Sequence, residues 1–95
     1  MKKASAPRPW KADARIDLHR LTASDAEEQL VKFLDQNFLQ RRQRVLVISG
    51  AKMLLGMVHR VLDSHPLVEQ HSPDNPGATR VWLGDPQHRF ARTHH

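Results

Sequence analysis

Asp17 and His19, separated only by Leu18, are the side chains in this sequence best suited to acid–base chemistry. Ile16 and Leu18 alternate with them in the two-residue period of a strand, so carboxylate and imidazole are expected on one face. A carboxylate beside an imidazole orients its tautomer and raises its basicity, which suits general acid–base cleavage of a phosphodiester. The same pair suits a divalent cation. The plainer reading is a solvated strand residue followed by a polar start to a loop.

A second candidate is Ser49-Gly50-Ala51-Lys52, a strand-to-helix connection. Backbone N–H groups in such a loop can face an anion at a helix N-terminus, and Lys52 adds a charge. The segment lacks the glycine and lysine-serine/threonine spacing of a Walker loop. His59 and His65 are too widely spaced for a metal pair on one helical face, and there is no H-E-x-x-H pattern. No serine lies in a nucleophile elbow, and no nucleotide-cofactor fingerprint occurs.

The elements that must position these residues follow from hydrophobic periodicity. Arg15 to His19 reads as a short strand ending at the candidate pair. Ser24 with Glu27 three residues later predicts a capping box, and Ala26, Leu30, Phe33, Leu34 and Phe38 continue as the apolar stripe of a helix. Arg41 and Arg42 suit that helix's negative end. Val45 to Ile48 is a continuous apolar run, the pattern of a central strand covered on both faces. Leu54, Val58, Val61 and Leu62 mark a second helix ending near Ser64, because Pro66 disfavours helical backbone at His65. Leu67 to His71 is a weaker strand. Pro73 to Gly77 is a series of turn formers, and Thr79, Val81 and Leu83 alternate with Arg80 and Trp82 in a last strand. The order strand, helix, strand, helix, strand, strand predicts an α/β two-layer sandwich with a mixed four-stranded sheet and two helices.

Composition bounds the rest. The chain has 95 residues, 39% of them hydrophobic and 26% charged, which fits one folded domain. It has no cysteine, so neither disulfides nor a thiolate metal site hold it together. Residues 1–14 read as a flexible basic arm containing Pro7, Pro9 and a lone Trp10, whose commonest use would be docking on the domain. The domain itself is expected over residues 15–84, and residues 85–95 read as a polar tail, with no function assigned to His94 and His95. With no secretory signal or membrane-spanning run, a cytoplasmic monomer is expected. The net charge of +5 raises the prior for a polyanionic partner. Any single cationic cluster is explained as well by solubility.

Taken in order, Ile16-Asp17-Leu18-His19, the Val/Ile strand ending at Gly50, His65-Pro66-Leu67-Val68 and Gly77-Ala78-Thr79-Arg80-Val81-Trp82-Leu83 resemble the Smr (small MutS-related) domain. The resemblance spans about Arg15 to Gly84. It implies a fold similar to the C-terminal domain of bacterial translation initiation factor three. It also implies nucleic-acid binding and, as in several members, endonuclease activity. The family's first motif reads Asp-Leu-His-Gly; Asp17, Leu18 and His19 match it, and Arg20 replaces the glycine. Its second reads His-Gly-x-Gly; only Gly50 matches, with Ser49 in place of the histidine and Lys52 in place of the second glycine. One candidate donor to a scissile phosphate is therefore missing.

The leading expectation is a domain that binds RNA or DNA, with RNA slightly favoured. Asp17 and His19 would lie at the functional face, and Arg20, Ser49, Gly50, Lys52 and Arg60 would contact phosphates. One alternative is an endonuclease using His19 as acid or base with Asp17 orienting it or holding a divalent metal. The other is an interaction module for an acidic protein or the ribosome. No cofactor beyond such a metal is expected.

Overall fold

The computed structural model describes residues 10–50 and 53–84. Within them the chain runs β1 (Ala14–Asp17), α1 (Ala23–Leu39), β2 (Arg44–Ile48), α2 (Leu55–Ser64), β3 (Val68–Asn75) and β4 (Ala78–Leu83). One mixed sheet results, ordered β1-β2-β4-β3, with β1 parallel to β2 and the other neighbours antiparallel. A parallel pair needs a crossover, which α1 supplies, while β3 and β4 form a hairpin.

The predicted two-layer sandwich is what forms. Val45, Val47, Val81 and Leu83 point from the sheet into a core shared with Ala26, Leu30 and Leu34 of α1 and Val58 and Leu62 of α2. Each fully buried Val or Leu contributes about 1.5–3 kcal/mol relative to exposure. Both helices lie on this one face. The expectation that β2 is covered on both sides is therefore corrected: Val45 and Val47 are buried, but Leu46 and Ile48 are only half-buried. Leu46 is flanked in register by Arg15 and Arg80, so neighbours within the sheet shield it instead of a further layer.

Trp10 docks on this open face. Its ring meets Trp82 edge to face at 5.7 Å, and the Arg80 guanidinium lies 5.0 Å from its centroid. Asp13 joins the sheet, its N–H donating to the Arg44 carbonyl at 2.7 Å. Its carboxylate accepts from the Arg44 N–H at 3.1 Å and from the guanidinium at 3.3 Å. Partial burial pushes that carboxyl up, but the Arg44 hydrogen bonds outweigh it and hold it below its ordinary value.

Local details differ from the periodicity in ways that matter for the site. The cap of α1 is Thr22, not Ser24: the Thr22 hydroxyl accepts from the Asp25 N–H at 3.2 Å, so the helix starts earlier. At its other end, Arg41 takes the left-handed conformation (φ 63°) that glycine usually fills. There the Arg41 and Arg42 N–H groups close back on the Phe38 and Asn37 carbonyls. The α2 helix ends at Ser64 as predicted, with His65 extended before Pro66. The β3 strand runs past His71 through Pro73 to Asn75, further than predicted. Being an edge strand, it tolerates a residue without an N–H, and its register slips between Pro73 and Asn75.

Candidate functional site

Leu18 is the pivot of the site. Its side chain is fully buried, and its N–H continues the sheet by donating to the Ile48 carbonyl at 2.7 Å. The chain then turns, with the Leu21 N–H closing on the Leu18 carbonyl at 3.0 Å, and enters α1. Asp17 and His19 flank this buried anchor and both point outward. The strand itself ends at Asp17, so it is not alternation along a strand that pairs them. The Asp17 carboxylate accepts the His19 backbone N–H at 3.1 Å and also contacts the His19 ring at Nδ1.

Those two hydrogen bonds, the ring contact first and the backbone one second, hold the Asp17 carboxyl below its ordinary value of 3.8. Arg20 adds a smaller attraction. On the other edge of the ring, the Arg20 Nε–H donates to His19 Nε2 at 3.4 Å. The two ring contacts are mutually compatible with one neutral tautomer, protonated at Nδ1 toward Asp17 and carrying a lone pair at Nε2. The His19 and Asp17 side chains are 44% and 53% exposed.

Two further loops close around this turn. Gly50 has φ 78°, a conformation that side chains disfavour, and a Cβ there would lie 3.4 Å from the His19 Cβ. A Cβ on Gly77 would lie 3.3 Å from the Gly50 Cα. The Gly77 carbonyl accepts the N–H groups of Ser49 at 2.9 Å and Gly50 at 3.1 Å, while Asn75 accepts the Gly77 N–H at 2.9 Å. The turn after β1, the loop after β2 and the β3–β4 hairpin thus meet at one rim.

The sequence-derived phosphate contacts divide accordingly. Arg20 lies at the rim beside His19. Gly50 also lies there, but its N–H and that of Ser49 are spent on Gly77, so the expectation that these two amides face an anion is corrected. Ser49 is buried beneath the rim at 3% exposure, its hydroxyl donating to the Gly50 carbonyl at 3.0 Å. Lys52 and Ala51 lie outside the described residues. Arg60 sits on α2, ion-paired with Glu27 of α1 at 3.5 Å, and lines none of the hollows that His19 borders.

His19 forms a ridge between two such hollows. One of about 430 Å³ lies on the helix side, bordered by Leu21, Thr22 and Ala23 at the start of α1 and by Gly50, Met53 and Leu54. The other, about 380 Å³, opens onto the sheet face opposite the helices and is bordered by Asp17, Leu46, Ile48, Gly50, Asn75 and Gly77. Asn75, Gly77, Leu21 and Met53 were not anticipated as site residues. The series of turn formers before Ala78 was the one signal for the first two, and it says nothing of where the hairpin lands. Among the described residues no three histidine or acidic side chains converge. A divalent ion at this rim would take Asp17 and His19 as protein ligands and complete its shell with water or substrate oxygens.

Among the described residues no helix is long and apolar enough to cross a membrane. No curated protein matches the sequence. The fold is similar to the crystal structure of the Smr domain of Thermus thermophilus MutS2, with a TM-score of 0.71 and 20% sequence identity, covering 75% of this chain and 98% of that one. The Smr domain sequence profile matches residues 16–84, from the strand that leads into Asp17 to the residue after β4. The chain therefore belongs to the Smr domain family, which is associated with nucleic-acid binding and endonuclease activity.

Proposed function

We propose that this domain binds nucleic acid at the rim where its three loops meet, with a backbone phosphate lying against His19. The observation that carries the reading is the exposed Arg20 guanidinium held against the His19 ring, which Asp17 backs on its other edge. Arg20 supplies a cation, Lys52 would add one by its place in the sequence two residues after Gly50, and the start of α1 borders the same hollow and adds the positive end of its dipole. Gly50 serves by lacking a side chain rather than by donating its N–H. Such contacts read backbone and shape, not sequence. The test is affinity for labelled RNA and DNA across a salt series. Binding that weakens steeply with salt is expected, and absence of binding at low salt overturns the reading.

Cleavage of RNA is the second reading, favoured by the tautomer that leaves a lone pair on Nε2. His19 would take the proton of a 2′-hydroxyl, whose oxygen attacks the adjacent phosphorus. The bond to the 5′-oxygen breaks, and that oxygen takes a proton from water, leaving a cyclic phosphate and a 5′-hydroxyl. With no second imidazole at position 49, protonation of the leaving group is the weak step. A cleavage assay of wild type and His19→Ala, each with and without chelator, separates the readings: a nuclease loses its product, whereas a binder only weakens.

A further inference from the structure

We infer that the open face of the sheet is a stacking platform for a single nucleic-acid strand, which leaves the His19 rim and runs along β2 and β4 to Trp10 and Trp82. The inference rests on phosphate binding at the rim and assigns the face that carries the rest of the ligand. Four observations support it.

First, no helix covers the face among the described residues. Both helices lie on the opposite side, and among the described residues Trp10 alone docks on this face, against Trp82, leaving Leu46 and Ile48 half-buried with no layer over them. Second, it is continuous with the rim, because the 380 Å³ hollow is bordered by Asp17 and His19 at one end and by Leu46 and Ile48 of the open face. The register places Ile48 beside Ala78 at the rim end and Arg44 beside Trp82 at the far end. Four residues of strand separate these rows, roughly 13 Å at the usual rise. Four-stranded sheets of RNA-binding domains use exposed aromatics to stack two or three bases over comparable surfaces.

Third, the chemistry at the far end suits bases. Trp10 and Trp82 offer aromatic surface, and the Arg80 guanidinium adds a planar cation. Fourth, the charge is complementary. Asp13 and Asp74 neutralise Arg44 and Arg80, but Arg15, in the same cross-strand row as Leu46 and Arg80, has no acidic partner among the described residues. Arg20 extends this excess to the rim. A duplex keeps its bases stacked on one another, so an aromatic platform selects a single strand.

Trp10 and Trp82 are the two tryptophans of the chain, so its intrinsic fluorescence reports on this face directly. Titration of the full chain with end-labelled oligouridine and oligothymidine, following anisotropy and tryptophan emission together, tests the inference. Quenching that saturates with the anisotropy is expected for the single strands and not for a duplex of equal length; the RNA and DNA arms identify the sugar. Trp10→Ala should bind about tenfold more weakly, with Trp10→Phe restoring most of the loss. Arg15→Ala should lower the salt slope by about one. Strand binding with unchanged emission, or with wild-type affinity and salt slope in both Trp10→Ala and Arg15→Ala, overturns the platform and leaves the rim intact. Absence of any anisotropy change overturns the rim reading as well.

Discussion

His65 and His19 each hydrogen-bond an aspartate, and the surroundings of the second ring nitrogen divide their roles. The His65 side chain is only 8% exposed. Its Nδ1 accepts the Leu67 N–H at 3.2 Å, which fixes the proton on Nε2, and that atom donates to Asp35 at 3.0 Å. Both nitrogens are consumed within the fold, tying α1 to the corner between α2 and β3. In His19 Nδ1 is held by Asp17, while Nε2 meets only the exposed Arg20 side chain, in a long contact of 3.4 Å. A third pair falls between them: His71 contacts Asp63 at 2.7 Å and stacks on His59 at 5.6 Å, joining the edge strand to α2. An aspartate beside a histidine is thus no sign of a site by itself. What distinguishes one is a ring nitrogen whose partner is an exposed side chain that a ligand can displace, rather than the buried backbone of the fold.

The contrast can be broken by mutation. The largest effect is expected for His65→Ala, which removes a buried ring and orphans the Leu67 N–H. It should cost about 2–3 kcal/mol in urea unfolding and leave oligonucleotide affinity unchanged. A comparable loss of affinity would mean that the strut and the site are not separate. Gly50→Ala, which forces a side chain into left-handed backbone against His19, should cost about 1–2 kcal/mol and also weaken binding. It is the variant that should couple stability to function, and normal binding by it would show that His19 does not depend on that packing.

Arg41→Gly should move stability the other way. Arg41 lies at the far end of a 17-residue helix, about 25 Å from the rim. Glycine there should add about 1 kcal/mol by relieving the left-handed arginine, with little change in binding, and a loss of stability would show that the arginine side chain contributes more than its backbone strain costs. The smallest effect is on titration. Because the Asp17 carboxyl is lowered in the folded state, its contribution to stability is fully present above the ordinary value of 3.8 and is lost as pH falls through the folded value. Carboxyl carbon shifts followed by NMR should show its midpoint returning toward the ordinary value in His19→Ala. An unmoved midpoint would mean that His19 is not the principal partner.

Much of the architecture was legible because it depends on local patterns. The stripe of Ala26, Leu30 and Leu34, the stop before Pro66 and the alternation around Val81 each register the solvent boundary of one element, and element order then constrains the topology. Where prediction slipped, a local competitor decided the outcome. Thr22 capped α1 ahead of Ser24 because its hydroxyl was placed to take the Asp25 N–H. Pro73 entered a strand because that strand lies at an edge. The β2 pattern suggested burial on both sides because Leu46 and Ile48 are apolar, and periodicity cannot distinguish a second layer from shielding by neighbouring strands.

The candidate site divides along the same line. Sequence alone determined that Asp17 and His19 are adjacent, that Arg20 stands next to them and that Gly50 can take unusual backbone, since these depend on covalent order and residue type. Only the tertiary structure decided that a buried Leu18 turns the pair outward, that the Gly77 carbonyl takes up the Ser49 and Gly50 amides, and that Arg60 pairs with Glu27 instead of joining the rim. Those outcomes depend on which distant segments pack together, and packing is set by the shared core rather than by any one stretch of chain.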